Sequence, residues 1–321
     1  MGDPLEKLSA AIDWKQFKPI IERAFRKDRK SNAGRPSFDF IMMFKILILQ
    51  SMYNLSDAQT QFQIIDRHTF KRFLGLRDEN RIPDEKTIWL FRETLTRQDA
   101  IKKLFDLFDR FLNEAGYNAK KGQIIDATFV EMPRQRNSRE ENEDIKNGRT
   151  PESWTEQPSK LRQKDLDGRW TKKNNETHYG YKNHLNVDAK NKLIRGYSVT
   201  AANVHDSQVF EELLDVDNTG KMVYADSAYS SDQASNLLKK NRLHNRINRK
   251  GYRNKPLSKF QEHMNRQRSS VRVRVEHVNG RLSQFMGRWM RCIGRLRAAG
   301  KVGLMNLVYN MTRYAYLEGC A

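Results

Sequence analysis

Three acidic residues lie next to apolar segments, where an ionised carboxylate is costly unless it is paired or bound to a metal. Asp126 and Asp226 each follow a short apolar run, and Glu276 lies among arginines in "VRVRVEHVNGR". Carboxylate oxygens suit Mg²⁺ or Mn²⁺, which bind through a few such groups plus substrate phosphate. Two such ions can support attack on a phosphodiester. We therefore predict that the three acids hold two ions; the alternative is local pairing, with Asp226 as a turn cap and Glu276 bound to Arg272.

Asp126 is predicted to lie on a strand, and Asp226 at the end of another. "QIIDATFV" and "KMVYADSAY" are short apolar runs that contain β-branched residues, which is typical of buried strands. Two acids on strands and one on a neighbouring element can meet at one edge of a sheet.

The segment around Glu276 first alternates apolar and basic residues, as a half-buried strand does. An apolar stripe at spacings of 4, 3, 4, 3 and 4 continues beyond that alternation and favours a helix. Its members are Val271, Val275, Val278, Leu282, Phe285 and Trp289. Ser269 and Ser270 are candidate N-caps for this helix. Arg272 and Glu276, four residues apart, then share one face.

The remaining pattern predicts an α/β fold with a mixed sheet. "HYGYKNHLNVDA" and "LIRGYSVTAA" indicate two strands joined by a hairpin at 188–192, "SSDQASNLLKKN" a helix capped by Ser230 or Ser231, and "HNRINRK" a short basic strand. Residues from about 134 to 173 are highly polar, so we predict a long surface insertion. Trp154 and Trp170 within it either pack in the ordinary way or stack on an unpaired base.

Residues 1–120 are predicted to be an all-helical domain that precedes the catalytic domain at 121–321. "SDAQTQFQIIDRHTFKRFLGL" is interpreted as one helical run with Ser56 as its N-cap and with Phe62, Ile65, Phe70 and Phe73 at roughly helical spacing. "IPDEKTIWLFRETL" begins at Pro83-Asp84. "DAIKKLFDLFDRFLNEAG" is strongly amphipathic and has Gly116 as a C′ residue. Such a set of short helices suits DNA binding or dimerisation.

The formal net charge of +20 is concentrated in the C-terminal part of the chain. Between Lys239 and Lys301 there are 19 lysines and arginines against two acids, Glu262 and Glu276. This concentration predicts a polyanion partner, with nucleic acid as the first candidate and an anionic membrane surface as the second. The alternative is a well-solvated basic surface.

Several classes of protein are disfavoured. No apolar stretch is long enough to span a membrane, and the N-terminus lacks the apolar core of a secretory signal. Two cysteines, Cys292 and Cys320, make no disulfide scaffold, so a cytoplasmic location is expected. No glycine-rich phosphate loop is present, so no nucleotide cofactor is predicted. His178 and His184 are about 20 Å apart on one predicted strand and cannot share a zinc ion, while His205 is interpreted as structural.

A family resemblance is carried by several motifs in order. "IIDAT", "HYGYKNHLNVD", "VTAANVHDS", "YADSAYSS" and "RVRVEHVNGRL" resemble the DDE transposases of bacterial insertion sequences, most closely the insertion-sequence-five type of the four/five superfamily. "GRPSFDFIMMFKILILQSMYNLSDAQ" and "IPDEKTIWLFRETL" resemble the N-terminal region of that family. The resemblance covers about residues 35–315.

This resemblance implies a ribonuclease-H-like core in which Asp126, Asp226 and Glu276 bind metal and act catalytically. It implies that Arg272 grips substrate phosphate, and that the protein is bacterial, nucleoid-associated and a homodimer on double-stranded DNA. Two positions depart from the family signature: Ser269 replaces a tyrosine, and Ser283 replaces a lysine or arginine.

The predicted function is therefore binding of the inverted repeats at the ends of a DNA element, followed by metal-dependent strand cleavage and strand transfer into target DNA. The predicted DNA contacts are Arg272, Arg274, Arg281, Lys182, Arg249 and Lys250, in addition to the wider basic segment. Two alternatives stay open at this point. One is a DNA-binding relative without strand-transfer activity, and the other is a nuclease with the same core.

Overall fold

The structure is a computed structural model that describes residues 3–26, 37–173, 175–217 and 220–319. Residues 34–36, which begin the family motif "GRPSFDFIMMFKILILQSMYNLSDAQ", and Cys320 lie outside the described residues. The chain divides into a helical unit, formed by residues 1–118, 280–286 and 300–321, and a sheet-containing unit, formed by residues 119–279 and 287–299. Within the described ranges, no helix is long and apolar enough to cross a membrane.

Among the described residues of the N-terminal part of the chain, the helical unit contains seven α-helices. They are α1 (Pro4–Ala11), α2 (Lys18–Phe25), α3 (Phe40–Met52), α4 (Asp57–Asp66), α5 (His68–Leu74), α6 (Glu85–Arg97) and α7 (Ala100–Glu114). α3 is buried on most sides, and α7 buries the apolar face that its sequence predicts. The rings of Trp14, Phe17, Phe44 and Phe73 pack together at tilted and edge-on angles.

The predicted single helix from Ser56 onward is wrong, because it breaks at Arg67 into α4 and α5. Arg67 has an extended backbone conformation that interrupts the helical hydrogen bonds. Of the four predicted apolar positions, Phe70 and Phe73 are buried, whereas Phe62 and Ile65 are exposed and Ile64 is buried instead. The Ser56 cap is confirmed, and it forms a reciprocal capping box with Gln59.

The sheet-containing unit has a mixed six-stranded sheet, as predicted. Its strands are β1 (Gln123–Glu131), β2 (Arg169–Lys173), β3 (Glu176–Asp188), β4 (Ile194–Ala201), β5 (Met222–Ala225) and β6 (His244–Asn245). The order is β2-β3-β1-β5-β6, with β4 also paired to β3. β3 is antiparallel to β1, β2 and β4, and β5 is parallel to β1 and β6. The hairpin at 188–192 is closed by a hydrogen bond from Lys192 N to Asp188 O.

One glycine permits the close pairing of β1 with β5. Gly122 precedes β1 with a φ of +100°, and a Cβ at this position would lie 2.6 Å from the carbonyl oxygen of Met222. No other residue type fits that approach, because both the backbone conformation and the space exclude a side chain. The start of β1, which sets the position of Asp126, therefore depends on this glycine.

The polar insertion is folded, not an extended loop. It contains α8 (Arg139–Lys146), α9 (Glu152–Thr155) and α10 (Pro158–Leu161), followed by β2. Trp154 is fully buried at its centre and donates a hydrogen bond from Nε1 to Glu141. The ammonium groups of Lys160 and Lys164 lie over the indole ring. Ordinary packing is thus the outcome for Trp154, while Trp170 remains 41% exposed and packs against Tyr179.

Four further helices complete the structure: α11 (Phe210–Leu213), α12 (Asp232–Lys240), α13 (Lys259–Met286) and α14 (Arg295–Glu318). The predicted start of α13 at Ser269 or Ser270 is wrong by about three turns. Ser258 and Gln261 form a reciprocal capping pair that begins the helix earlier. Val275, Val278, Leu282 and Phe285 are buried as predicted, but Trp289 follows the end of α13 and is exposed. Gly287, with φ of +69°, follows the last helical residue.

Candidate active site

Two of the predicted acids are brought together by the parallel pairing of β1 and β5. Ile125 and Ala225 are partners in that register. The next residue along each chain segment is an aspartate, so Asp126, within β1, lies beside Asp226, which directly follows β5. Arg272, from α13, contacts both: its guanidinium lies 3.5 Å from Asp126 Oδ1 and 4.0 Å from Asp226 Oδ1. The three residues therefore form one charged cluster.

Glu276 lies one turn of α13 beyond Arg272 and is exposed. It is near enough to Asp126 for its negative charge to raise the pKa of that carboxyl. Across the described ranges, no three side chains of the types His, Cys, Asp and Glu are already grouped closely enough to hold a metal ion. The arrangement is thus a pair of aspartates joined by an arginine, with a third acid on the adjacent turn.

The electrostatics of the cluster are dominated by burial. Burial raises the pKa of Asp126 from 3.8 to about 6, Arg272 opposes this increase, and Glu276 adds to it. The side chain of Asp126 is 15% exposed and that of Asp226 is 43% exposed. Asp226 Oδ1 also accepts a hydrogen bond from Ser227 N at 2.5 Å, so the predicted capping role is present as well.

Two residues of the site were missed from the sequence. Asn279 donates from Nδ2 to Asp126 Oδ2 at 3.2 Å. It lies three residues after Glu276 and seven after Arg272, so its position on the shared helix face was an available signal. Tyr229 is 1% exposed and its hydroxyl has no hydrogen-bond partner among the described residues. Burial and the charges of Asp206, Asp126 and Asp226 raise its pKa, so the phenol stays neutral.

The side chain of Lys182, which was predicted to contact DNA, points inward instead. Its ammonium lies 2.7 Å from Asp206 and donates to the carbonyl of Val204, and the residue is only 9% exposed. A lysine already paired and desolvated there is not positioned to neutralise phosphate.

The three histidines considered from the sequence have separate partners. His178 pairs with Glu131 at 2.5 Å, and His184 Nε2 lies 2.8 Å from the hydroxyl of Thr200. Burial lowers the pKa of His184 to about 4. His205 precedes a 3₁₀ turn at Asp206–Val209, and its Nδ1 accepts from Ser207 N. A capping contact of this kind agrees with the structural interpretation of His205.

The other predicted DNA contacts differ in exposure. Arg249 and Lys250 are exposed, and Lys250 lies over the ring of Tyr252. Arg281 is also exposed and covers the ring of Phe285. Arg274 is partly buried and donates to the carbonyl of Ala189. Three of these four side chains are thus presented to solvent.

The residues present fit a divalent cation. The donor set consists of carboxylate oxygens, which are the ligands that Mg²⁺ and Mn²⁺ prefer. Asp126 ionises at a cost because it is buried, and a cation placed beside it would offset that cost. Arg272 now supplies positive charge to Asp126 and Asp226, which shows that this position favours a cation.

Replacement of Asp126 by asparagine is expected to stabilise the metal-free protein at neutral pH. Since the pKa of Asp126 is raised in the fold, its protonated form is favoured there. In the parent, the protonated Asp126 side chain contributes stability that is present below about pH 4 and is lost as the pH rises through about 6. At pH 7.5 the Asp126→Asn variant should therefore exceed the parent by on the order of 1–3 kcal/mol in urea denaturation.

At pH 4 the two proteins should be nearly equal in stability. Asp232→Asn, which removes an exposed acid at the start of α12, serves as the control and should show no such pH dependence. A variant at Asp126 that is less stable than the parent at pH 7.5 would contradict the raised pKa.

Comparison with known proteins gives two family matches. A family model described as "Transposase DDE domain" matches residues 117–311, which is more than half of the chain. A second, described as "Transposase domain", matches residues 1–94. No solved structure matches the chain significantly.

Proposed function

Because the chain belongs to the DDE transposase family, we propose that it cleaves DNA at the ends of its element and joins the freed 3′ ends to target DNA. The observation that carries this proposal is the cluster of Asp126, Asp226 and Arg272 beside the paired segments of the parallel strands β1 and β5, with Glu276 one helical turn away. Family membership supports an enzyme that acts on DNA; the residue roles below are part of the proposal.

Asp126, Asp226 and Glu276 would hold two Mg²⁺ or Mn²⁺ ions, which when bound supply activation of the attacking oxygen and stabilisation of the leaving oxygen. Asn279 keeps Oδ2 of Asp126 in place through its hydrogen bond, while Oδ1 faces Arg272. The neutral hydroxyl of Tyr229 adds a buried donor near the two aspartates without adding charge. Glu276 is exposed and one turn distant, so it must approach the aspartates when the site is complete.

Arg272 would have one role without DNA and a different role with DNA bound. Without DNA it neutralises the two aspartates. With DNA present, its planar guanidinium is suited to bidentate contact with a phosphate oxygen pair. The attacking water in the first step, and the 3′-hydroxyl in the second, would be presented to the same cluster, and no covalent enzyme intermediate is required.

Affinity for DNA is assigned to the exposed basic side chains between residues 239 and 301, including Arg249, Lys250 and Arg281. Residues 1–120 together with this segment would recognise the repeated ends, and residues 121–321 would carry the chemistry. Each phosphate contact adds about 0.9 to the slope of log affinity against log salt.

Replacement of Lys250 by glutamine is expected to lower the slope of log affinity against log salt by about 0.9. It should also weaken DNA binding several-fold at physiological salt, to the same extent for every DNA sequence. Fluorescence anisotropy at several salt concentrations measures both quantities. Lys146→Gln, which removes an exposed lysine from the acidic helix α8, is the matched control and should leave the slope unchanged. Equal slopes for the two variants would remove Lys250 from the DNA interface.

The proposed activity is tested by incubating the protein with labelled end DNA, target plasmid and Mg²⁺. Joined product supports the transposase. Cleavage without joined product indicates a nuclease with this core, and binding without cleavage indicates a DNA-binding relative. Either of the last two results would overturn the proposed strand transfer.

A further inference from the structure

Three arginines of the sheet-containing unit lie close together without an acidic partner. They are Arg246 and Arg249, which follow β6, and Arg268 on α13. We call these three side chains the arginine cluster. Within the described ranges, none of the three forms an ion pair with a carboxylate, and a guanidinium stays charged at every ordinary pH. The fold itself therefore supplies no counter-charge to the cluster.

Hydrogen bonds to backbone atoms bring the three arginines to one place. Arg268 Nη1 donates to the carbonyl of Ile247 at 2.7 Å, which puts its guanidinium beside the segment from Arg246 to Arg249. Arg249 N donates to Asn265 Oδ1, and Asn265 Nδ2 donates to Arg249 O, both at 2.9 Å. Three hydrogen bonds thus fix the segment after β6 to α13, so the cluster is preformed.

The positive charges of the cluster are held together at a cost. Arg268 is only partly exposed, and its Nε is buried without a hydrogen-bond partner among the described residues. Burial, and then the charges of Arg249 and Arg246, lower the pKa of Arg268. Desolvation and like-charge repulsion both disfavour the cationic form of an unpaired group. An anion bound to the cluster would offset that repulsion.

The cluster lies beside the candidate active site. Asn248, within the segment after β6, donates from its backbone N to the carbonyl of Ala225 at 3.1 Å, and Asp226 is the next residue after Ala225. Arg268 comes four residues before Arg272, so the two share one face of α13 and lie about 6 Å apart along its axis. That separation corresponds to about two nucleotides at about 3.4 Å each along a DNA strand.

We propose that the arginine cluster binds one phosphate of the cleaved DNA strand, within about two nucleotides of the phosphate assigned to Arg272. Guanidinium groups form bidentate, charge-assisted hydrogen bonds with phosphate oxygens, so three of them suit one such group. The identity of the strand rests on the proposed function, whereas the cluster itself is defined by its contacts.

This site differs from the diffuse affinity of the exposed basic segment. Arg246 and Arg268 are partly buried and converge on one place, so they select one phosphate instead of attracting the whole backbone. They are positioning residues, because they would hold the strand while other groups act on the scissile phosphate.

Methylphosphonate interference tests the proposal. A single neutral methylphosphonate linkage is placed in turn at each position around the end of the element, and affinity is measured by fluorescence anisotropy without a divalent cation. Apart from any effect at the scissile phosphate, the parent is expected to lose affinity about tenfold at one nearby linkage of the cleaved strand, because a charge-assisted contact is removed. In Arg246→Gln and Arg268→Gln, that linkage should change affinity by less than about twofold, because the contact is already absent.

Arg246→Gln is the safer of the two variants. The Arg246 side chain forms no hydrogen bond with the described residues, whereas Arg268 also holds the carbonyl of Ile247. Arg139→Gln is the matched control, since it makes the same change at an exposed position on α8, outside the basic segment, and should keep the parental pattern. Thermal unfolding checks that each variant is folded.

Three results would overturn the proposal. The first is an equal loss of affinity at every linkage in the parent, which indicates diffuse attraction. The second is a localised loss that Arg246→Gln and Arg268→Gln leave unchanged. The third is calorimetric binding of inorganic phosphate to the cluster with no localised loss on DNA, which would make it a site for a free anion.

Failure of the proposed function is a separate outcome, because the binding measurement uses no divalent cation. A protein that shows the localised loss but cleaves no end DNA with Mg²⁺ contradicts the chemistry and leaves the phosphate site standing.

Discussion

Asp226→Asn is expected to lower the rate of DNA cleavage by at least about 1,000-fold while leaving DNA affinity within about twofold. The substitution removes one negative charge and, on the proposed mechanism, one metal-binding oxygen from the cluster, on which several kcal/mol of transition-state stabilisation would depend. Asparagine has nearly the same shape, and its side-chain oxygen can still accept the hydrogen bond from Ser227 N. The turn after β5 should therefore persist, so the loss would be chemical. Single-turnover cleavage of labelled end DNA at saturating protein measures it.

Asp232→Asn is the matched control for this experiment. It makes the same change six residues further along the chain, at an exposed position that starts α12. The control should cleave at the parental rate. If Asp226→Asn cleaved as fast as Asp232→Asn, the assignment of Asp226 to the metal site would fail.

Arg272→Ala is expected to lower the cleavage rate about 100-fold and to move the lower limb of the pH–rate profile to higher pH. On the proposed mechanism, the rate falls because Arg272 no longer supplies a cationic contact to the reacting phosphate. The profile moves because Arg272 opposes the effect of burial on the pKa of Asp126, so its removal lets that pKa rise further above 6. A higher pKa keeps Asp126 protonated, and unable to bind a cation, over a wider range of pH.

Arg272→Lys separates these two effects. It keeps the positive charge near Asp126 but lacks the planar fork, so the pH profile should return toward that of the parent while the rate stays low. Arg266→Ala, an exposed arginine on the same helix, is the control and should change neither quantity at saturating DNA. An unshifted profile in Arg272→Ala would show that this arginine does not act on Asp126.

Much of the fold was predictable because its signals are local. The apolar runs before Asp126 and Asp226 are long enough to predict strands, and the 4-3-4-3 stripe after Val271 is sufficient to predict a helix. The mixed α/β class follows from the order of those elements and is confirmed. The juxtaposition of Asp126 and Asp226 depends on the parallel register of β1 with β5, which the sequence suggests only through the shared pattern of an aspartate after an apolar run.

Features set by tertiary contacts were not predictable in the same way. Arg67 interrupts a segment whose helical pattern is continuous, and its extended backbone separates α4, which buries Ile64, from α5, which buries Phe70. Trp154 is buried among polar residues, so composition concealed the small core of the insertion. Lys182 has the residue type of a phosphate contact, but its partner Asp206 is distant in sequence and draws it inward. Asn279 was detectable by helical spacing once Arg272 and Glu276 were on one face.

The central claim is that Asp126, Asp226 and Glu276 form one divalent-metal site that acts on DNA. Anomalous scattering from Mn²⁺, in crystals of the protein bound to DNA that carries an end of its element, tests this most directly. Anomalous peaks within coordinating distance of all three carboxylates, with Arg272 moved from the aspartates to a phosphate, are the predicted result. Peaks elsewhere, or a fully ordered DNA complex in which Arg272 still joins Asp126 and Asp226 and no Mn²⁺ is bound at saturating concentration, would contradict it.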